Sequence, residues 1–213
     1  MIQTIISRLV ISLTILVLAS CAAIKDQPEG PDPASIEPKG WVAEKKQRQQ
    51  INVWEIRGRL GVQTETTGGS LDIIWKNDGE NYTIRLLAPV GAGNYLVQGD
   101  KDQAEIRYPN GSKKTINDID EVFTSILEVD LPASAVKDWI RGIPSNRLPV
   151  KKIMWDKKGH LNRVKQSGWN VEMTRYAGDK IVMPHDIYLS YEGGAEDKEL
   201  DMRLVLRRWL IDN

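Results

Sequence analysis

The chain has 213 residues with 29 basic and 29 acidic side chains, and this balance offers no electrostatic footprint for nucleic acid and no broad polybasic face for anionic lipid. A single cysteine excludes an internal disulfide, and with only two histidines we find no set of the three or four ligands at sensible spacing that zinc needs. Stability must come from hydrophobic packing, and the length suits one domain with a sizeable core.

Arg8 is the only charged side chain before Lys25, and Leu9 to Ala19 is an apolar run broken only by Ser12 and Thr14. That run is too short to span a bilayer comfortably, so residues 1–20 read as a signal peptide rather than a transmembrane helix. It ends in Leu18-Ala19-Ser20-Cys21, which resembles the lipobox of bacterial lipoproteins. The resemblance implies cleavage before Cys21, diacylglycerol on its sulfur and an acyl chain on the new amino group. The alternative is an ordinary signal peptide with a chance cysteine. Several acyl chains at ~0.8 kcal/mol per buried methylene hold a protein to a membrane durably. The next residue is Ala22 and not aspartate, which in enteric-type sorting implies the outer membrane, with the domain facing the periplasm.

Lys25 to Gly40, KDQPEGPDPASIEPKG, is rich in Pro, Gly and acids and has almost nothing to bury. Residues 21–52 therefore form a lipidated cysteine and a flexible tether, with a reach on the order of 30 Å. Within that stretch the charged, helix-favouring residues 41–52 predict a short helix leading into the fold. Residues 53–213 form the folded domain.

In Val53 to Glu65 the residues Trp54, Ile56, Gly58, Leu60 and Val62 alternate with Glu55, Arg57, Arg59 and Gly61, the period of a half-buried strand. Ser70 to Lys76 puts Leu71, Ile73 and Trp75 on one face, and Asn77-Asp78-Gly79-Glu80 is a hairpin turn. The third strand places Tyr82, Ile84 and Leu86 on one side. It runs into the corner Ala88-Pro89-Val90-Gly91-Ala92-Gly93, which has the glycines of a turn but no polar side chain. Such a corner is either tucked under another element or presented to something apolar. Tyr95 to Gly99, Ala104 to Tyr108 and Lys113 to Ile116 continue an antiparallel meander.

The period then changes. Ile119, Val122, Phe123, Ile126 and Leu127 recur with helical spacing, and Asp118 and Glu121 are placed like a capping box. A second helix starts near Pro132, carries Val136, Trp139 and Ile140 on one face, and stops at Gly142-Ile143-Pro144. From about His160 the strand period returns, through Trp169 to Thr174, Ile187 to Tyr191 and Leu200 to Arg207, with a slip at Arg208-Trp209 that marks a bulge or the strand end. The sum is about ten or eleven strands with helices inserted in the middle. A sheet that long and antiparallel must curl, and two helices can cover its open face.

Enzyme motifs are missing. Gly91-Ala92-Gly93 has no helix behind it and is no phosphate cradle, and Gly68-Gly69-Ser70 lacks the second glycine of a nucleophile elbow. A carboxylate pair among Asp118, Asp120 and Glu121 is read first as charge complementing a helix N-terminus. We therefore expect no catalytic residues, no metal and no cofactor.

Seven tryptophans against one phenylalanine is an unusual ratio, and Trp54, Trp75, Trp139 and Trp169 all fall at inward positions. They either fill a core or line an apolar cavity. Trp54-x-x-Arg57-Gly58-Arg59-Leu60, then Trp75, then Tyr82 leading to Arg85-Leu86-Leu87-Ala88-Pro89-Val90-Gly91, then Leu131-Pro132, Trp139-Ile140-Arg141-Gly142-Ile143-Pro144 and Trp209 together resemble the LolB family, the outer-membrane receptors of the lipoprotein localisation pathway. The similarity spans nearly all of residues 50–210.

The resemblance implies a mainly β fold with two or three helices, a half-open, highly curved antiparallel β-barrel under a helical lid. It implies acyl chains of lipoproteins as cargo, a LolA-like periplasmic carrier as donor and outer-membrane phospholipid as destination, with the receptor acting as a monomer. On this reading Leu71, Ile73, Trp75, Tyr82, Ile84, Leu86, Trp139, Met173 and Leu204 line the cavity. Pro89, Val90 and Gly91 form the membrane-inserting loop, with Val90 where the family usually has leucine. The competing reading is an outer-membrane lipoprotein with a solid core that serves as an envelope scaffold.

Overall fold

The computed structural model describes residues 36–64, 68–89, 93–191 and 200–212. Cys21 and the signal segment lie outside the described residues, as do Val90 and Gly91. Helix α1, Trp41–Gln49, leads into a meander of β1 (Val53–Thr64), β2 (Gly68–Asp78), β3 (Asn81–Leu87), β4 (Asn94–Gly99), β5 (Ala104–Arg107) and β6 (Lys113–Ile116). Helices α2 (Glu121–Leu127) and α3 (Ala133–Trp139) follow, and then a second meander of β7 (Val150–Trp155), β8 (Leu161–Gln166), β9 (Trp169–Thr174), β10 (Asp186–Tyr191) and β11 (Leu200–Ile211).

All eleven strands form one antiparallel sheet in the order β6-β5-β4-β3-β2-β1-β11-β10-β9-β8-β7. The edges β6 and β7 do not pair, so the sheet curls into a half-open barrel, as expected from the sequence. Its apolar face is concave, and α2 and α3, which connect the two edges, bury Val122, Phe123, Val136 and Trp139 in the same core. Each strand shows the alternation that puts every second side chain inside, for example Tyr82, Ile84 and Leu86 of β3.

The two meanders join where β1 pairs with β11. The register shifts there between Arg57 and Gly58, which face Arg208 and Leu206, so Arg207 is an extra residue in β11. This is the slip read from the sequence, placed one residue earlier. A Cβ on Gly58 would come within 2.3 Å of the Val205 carbonyl oxygen, so the bulge needs glycine opposite it.

β7 is the strand that periodicity does not reveal. It starts with three exposed residues, lies on an edge, and its pairing with β8 is irregular at two places, which breaks the alternation. The expected capping box is also arranged differently. Helix α2 begins at Glu121 with Asp120 as its N-cap residue; Asp118 Oδ1 accepts from the Asp120 N–H at 3.0 Å, and Glu121 Oε1 accepts from the Asn117 N–H at 3.3 Å. Asp120 itself reaches to α3, where its carboxylate accepts from the Ser134 N–H at 2.6 Å and Oγ at 2.8 Å. Pro132 precedes α3 and has no capping side chain, so Asp120 supplies the cap from outside.

The bulge yields a prediction. Gly58→Ala forces backbone apart and should cost about 1–3 kcal/mol of stability. Gly61→Ala, whose nearest non-neighbour atom to the new Cβ is 3.8 Å away, should be close to neutral. Urea unfolding midpoints of the two variants test this contrast.

Candidate functional site

The candidate site is the concave face and the corner at its rim. Pairing register arranges the face in rows that cross the strands. One row runs Ile106, Val97, Ile84, Trp75, Ile56 and Trp209 across six strands. Another runs Leu71, Leu60, Leu204, Ile187 and Met173 across five. Between them Leu86 and Ile73 face Gly58, whose missing side chain leaves the row open.

Eight of the nine side chains singled out from the sequence, Ile73, Trp75, Tyr82, Ile84, Leu86, Trp139, Met173 and Leu204, are between 0 and 7% exposed, and Leu71 is half-buried against them. The structure brings them into a single cluster. The site is therefore shut to solvent, with the lid helices lying on the face. Trp54 stacks obliquely on Trp75 and Trp209, with ring centroids 5.6 and 5.8 Å apart.

The lid is pinned by polar groups that periodicity could not reveal. Buried Gln166 of β8 accepts from Trp139 Nε1 at 2.9 Å and from the Ser145 N–H at 3.0 Å, and it donates to the Ser145 and Leu148 carbonyls at 2.8 and 2.7 Å. A second pin joins α1 to the turn after α3. Arg48 donates to the Arg141 and Gly142 carbonyls at 3.1 and 3.2 Å, and Arg141 donates to the Ile51 carbonyl at 3.1 Å. Glu44 and Asp138 balance the two charges. The Arg48 guanidinium also lies 5.1 Å from the centroid of the Tyr176 ring, which stacks on His160. Arg141 stood in the Trp139 to Pro144 motif, whereas Arg48 had no signal beyond a charged helical stretch.

At the rim, Ala88 N–H donates to the Gly93 carbonyl at 3.1 Å and closes the base of the corner. Gly93 has φ +85°, and a Cβ there would meet Pro109 at 2.3 Å, so glycine is needed on both counts. Pro89 is exposed. Tyr95 and Tyr108 pack edge to face with centroids 5.9 Å apart, and Tyr108 Oη donates to the Ser125 carbonyl of α2 at 3.3 Å. A tyrosine pair thus links the strand leaving the corner to the lid.

Residues 52–209 match the family model described as outer membrane lipoprotein LolB. The chain belongs to the LolB family. It is 26% identical over 203 residues to the outer-membrane lipoprotein LolB of Nitrosococcus oceani, covering 95% of this chain and 96% of that one. The LolB of Halorhodospira halophila is 30% identical over 200 residues, covering 92% and 91%. Among solved structures, a domain described as an outer membrane lipoprotein-sorting protein of Vibrio parahaemolyticus superposes with a TM-score of 0.52 at 9% identity, over 81% of this chain and 91% of that one. A DUF1329 family protein of Desulfovibrio piger superposes with a TM-score of 0.53 at 11% identity, over 80% and 90%. These two show a shared fold. Membership makes this an outer-membrane lipoprotein of the lipoprotein localisation system.

In this LolB-family domain Tyr82 is a buried titratable group on the concave face. Burial pushes its hydroxyl up to about 12, helped by the negative charges of Asp100, Asp118 and Asp120. Tyr176, buried beside Arg48, is also raised, chiefly by burial. Both phenols are neutral in the folded state while their unfolded counterparts ionise near 10, so stability is complete below that pH and falls as pH rises toward 12. Tyr82→Phe should flatten part of this alkaline loss, as read from unfolding midpoints between about pH 9 and 12.

Proposed function

We propose that this protein receives lipoproteins from a LolA-like periplasmic carrier, holds their acyl chains against the concave face of the sheet, and releases them into the inner leaflet of the outer membrane. The observation that carries this reading is a continuous apolar face crossing the sheet and covered by only two helices of seven residues each. Cys21 carries the lipid anchor, the tether runs from there to α1 and not to residue 52, since Trp41, Arg48 and Ile51 are buried in the folded domain, and the domain works as a monomer. Leu71, Ile73, Trp75, Tyr82, Ile84, Leu86, Met173 and Leu204 take the chains once α2 and α3 swing off them, and Trp139, the last residue of α3, moves with the lid.

Magnitudes favour such an exchange. An acyl chain of about fifteen methylenes brings ~12 kcal/mol at ~0.8 kcal/mol each. The lid withdraws Val122, Phe123, Val136 and Trp139, at about 1.5–3 kcal/mol apiece. The two are of the same order, so an acyl chain replaces the lid side chains on the face at little net cost, and the difference in affinity between carrier and receptor sets the direction without nucleotide.

The apolar corner is the part that touches the membrane. Exposed Pro89 stands at its start, and Val90 is its tip, one methylene short of leucine and so ~0.8 kcal/mol weaker in insertion. The Tyr95–Tyr108–Ser125 link gives the corner a mechanical connection to α2.

The near-complete burial of the eight face residues favours one other reading, a solid core in a scaffold lipoprotein. Incubation with a carrier loaded with radiolabelled lipoprotein separates the two. Label recovered on this protein supports the receptor, and label left wholly on the carrier supports the scaffold. Val90→Glu places a carboxylate that must be desolvated to enter lipid, so it should leave cargo binding intact and reduce delivery to outer-membrane vesicles at least tenfold. Normal delivery by that variant rules out Val90 as the tip.

A further inference from the structure

A groove of about 520 Å³ opens between the β9–β10 connection and the C-terminal half of β11, at the end of the sheet opposite the Ala88–Gly93 corner. Its chemistry is divided. Ile181, Met183 and Trp209 make an apolar floor, while Lys180, Arg207 and Arg208 supply cations against the single carboxylate of Asp179.

The bulge creates this arrangement. Regular alternation would send Arg207 and Arg208 to opposite faces of β11, but with Arg207 inserted as the extra residue both are exposed. Arg207 has only a partial neutraliser, Asp72 at 3.6 Å, itself about half exposed. Among the described residues, the side chains of Arg208 and Lys180 have no hydrogen bond or ion pair. Trp209 is held in place, its Nε1 donating to the Pro184 carbonyl at 3.2 Å, and its ring packs on Trp54, which packs in turn on Trp75 of the concave face. His185 donates from Nδ1 to the Leu206 carbonyl at 2.8 Å, and it orients the start of β10 without adding a partner for the cations.

Adjacent guanidinium groups, one unpaired and one only loosely paired, recognise phosphate through paired N–H donors, and an aromatic floor beside them takes an alkyl chain. The volume lies in the range of small-ligand clefts and not of protein interfaces. We propose that this groove binds the phosphate headgroup of an anionic phospholipid, with Arg207 and Arg208 on the phosphate, Lys180 beside it, and the first part of an acyl chain along Trp209 and Ile181. The groove adjoins the concave face and shares Trp209 with it, but its cations lie outside that face, and binding there involves no transfer step. A failure here and a failure of acyl transfer are therefore distinguishable.

The test titrates the full-length lipidated protein, held in a non-ionic detergent, with dihexanoyl phosphatidylglycerol while tryptophan emission is followed. Dihexanoyl phosphatidylcholine and inorganic phosphate are titrated in parallel. The expected result is saturable binding of phosphatidylglycerol, with the zwitterionic lipid and free phosphate each weaker by tenfold or more. Arg207→Gln with Arg208→Gln should weaken phosphatidylglycerol at least tenfold and leave phosphatidylcholine unchanged. Raising salt to about 0.5 M should weaken the unmodified protein in the same way, which keeps the test open even if the double variant fails to fold. Equal binding of both lipids, or phosphatidylglycerol binding unmoved by both the double variant and salt, overturns the proposal. Phosphate binding as tightly as the lipid also overturns it, because the groove would then be a bare anion site.

Discussion

The structure depends on the pairing of its first strand with its last. β1–β6 and β7–β11 are each local meanders, and neither alone has enough concave surface to enclose a core. Eleven matched positions between β1 and β11 turn them into one sheet, and the curl of that sheet creates an inside. The pairing closes a loop on the order of 150 residues, at about 4 kcal/mol of chain entropy, so it repays its cost only when the rows on both sides of it are packed. Those rows cross the seam: Ile56 lies between Trp75 and Trp209, and Leu60 between Leu71 and Leu204. Hydrophobic contact at the seam and formation of the sheet are thus one event.

A curled sheet with unpaired edges leaves its apolar face open on one side, and the middle of the chain covers it. The lid is thin. Two seven-residue helices supply only a few large side chains, and neither is long enough to be stable in isolation. What orders them is polar: Asp120, at the start of α2, caps α3, Gln166 takes the indole N–H of Trp139, and Arg48 and Arg141 satisfy carbonyls at each other's helix ends. Hydrogen bonds of this kind are directional and modest in net strength, so they hold one closed arrangement without making it deep. A cover built in this way suits an interior that is shut when empty and must open to cargo.

The same bulge serves two places. On one side of the seam it demands Gly58, which interrupts a row of the concave face; on the other it turns Arg207 and Arg208 outward together. A single inserted residue therefore shapes both the interior and the far rim. The edge strands show a related economy, since β6 carries exposed Lys113 and Lys114 and β7 exposed Lys151 and Lys152, which discourage pairing with another chain.

The sequence by itself determined which residues face inward along the strongly alternating strands and the two lid helices, because a period of two or of 3.6 is written directly in side-chain polarity. Trp54, Trp75, Trp139 and Trp169 were legible for that reason, as was the unusual apolar corner after β3. It also carried the family pattern. What only the tertiary structure decided is whatever depends on contacts between distant residues. The position of β11 beside β1 is one such case, and β7, whose irregular pairing hides its period, is another. The docking of α1 through Arg48 and the work of Gln166 are further ones, because a polar residue shows no sign in sequence of the carbonyl it will meet some twenty to ninety positions away. Whether the interior is open or shut belongs to the same group: alternation says that a side chain points inward, and only packing says what fills the space it points into.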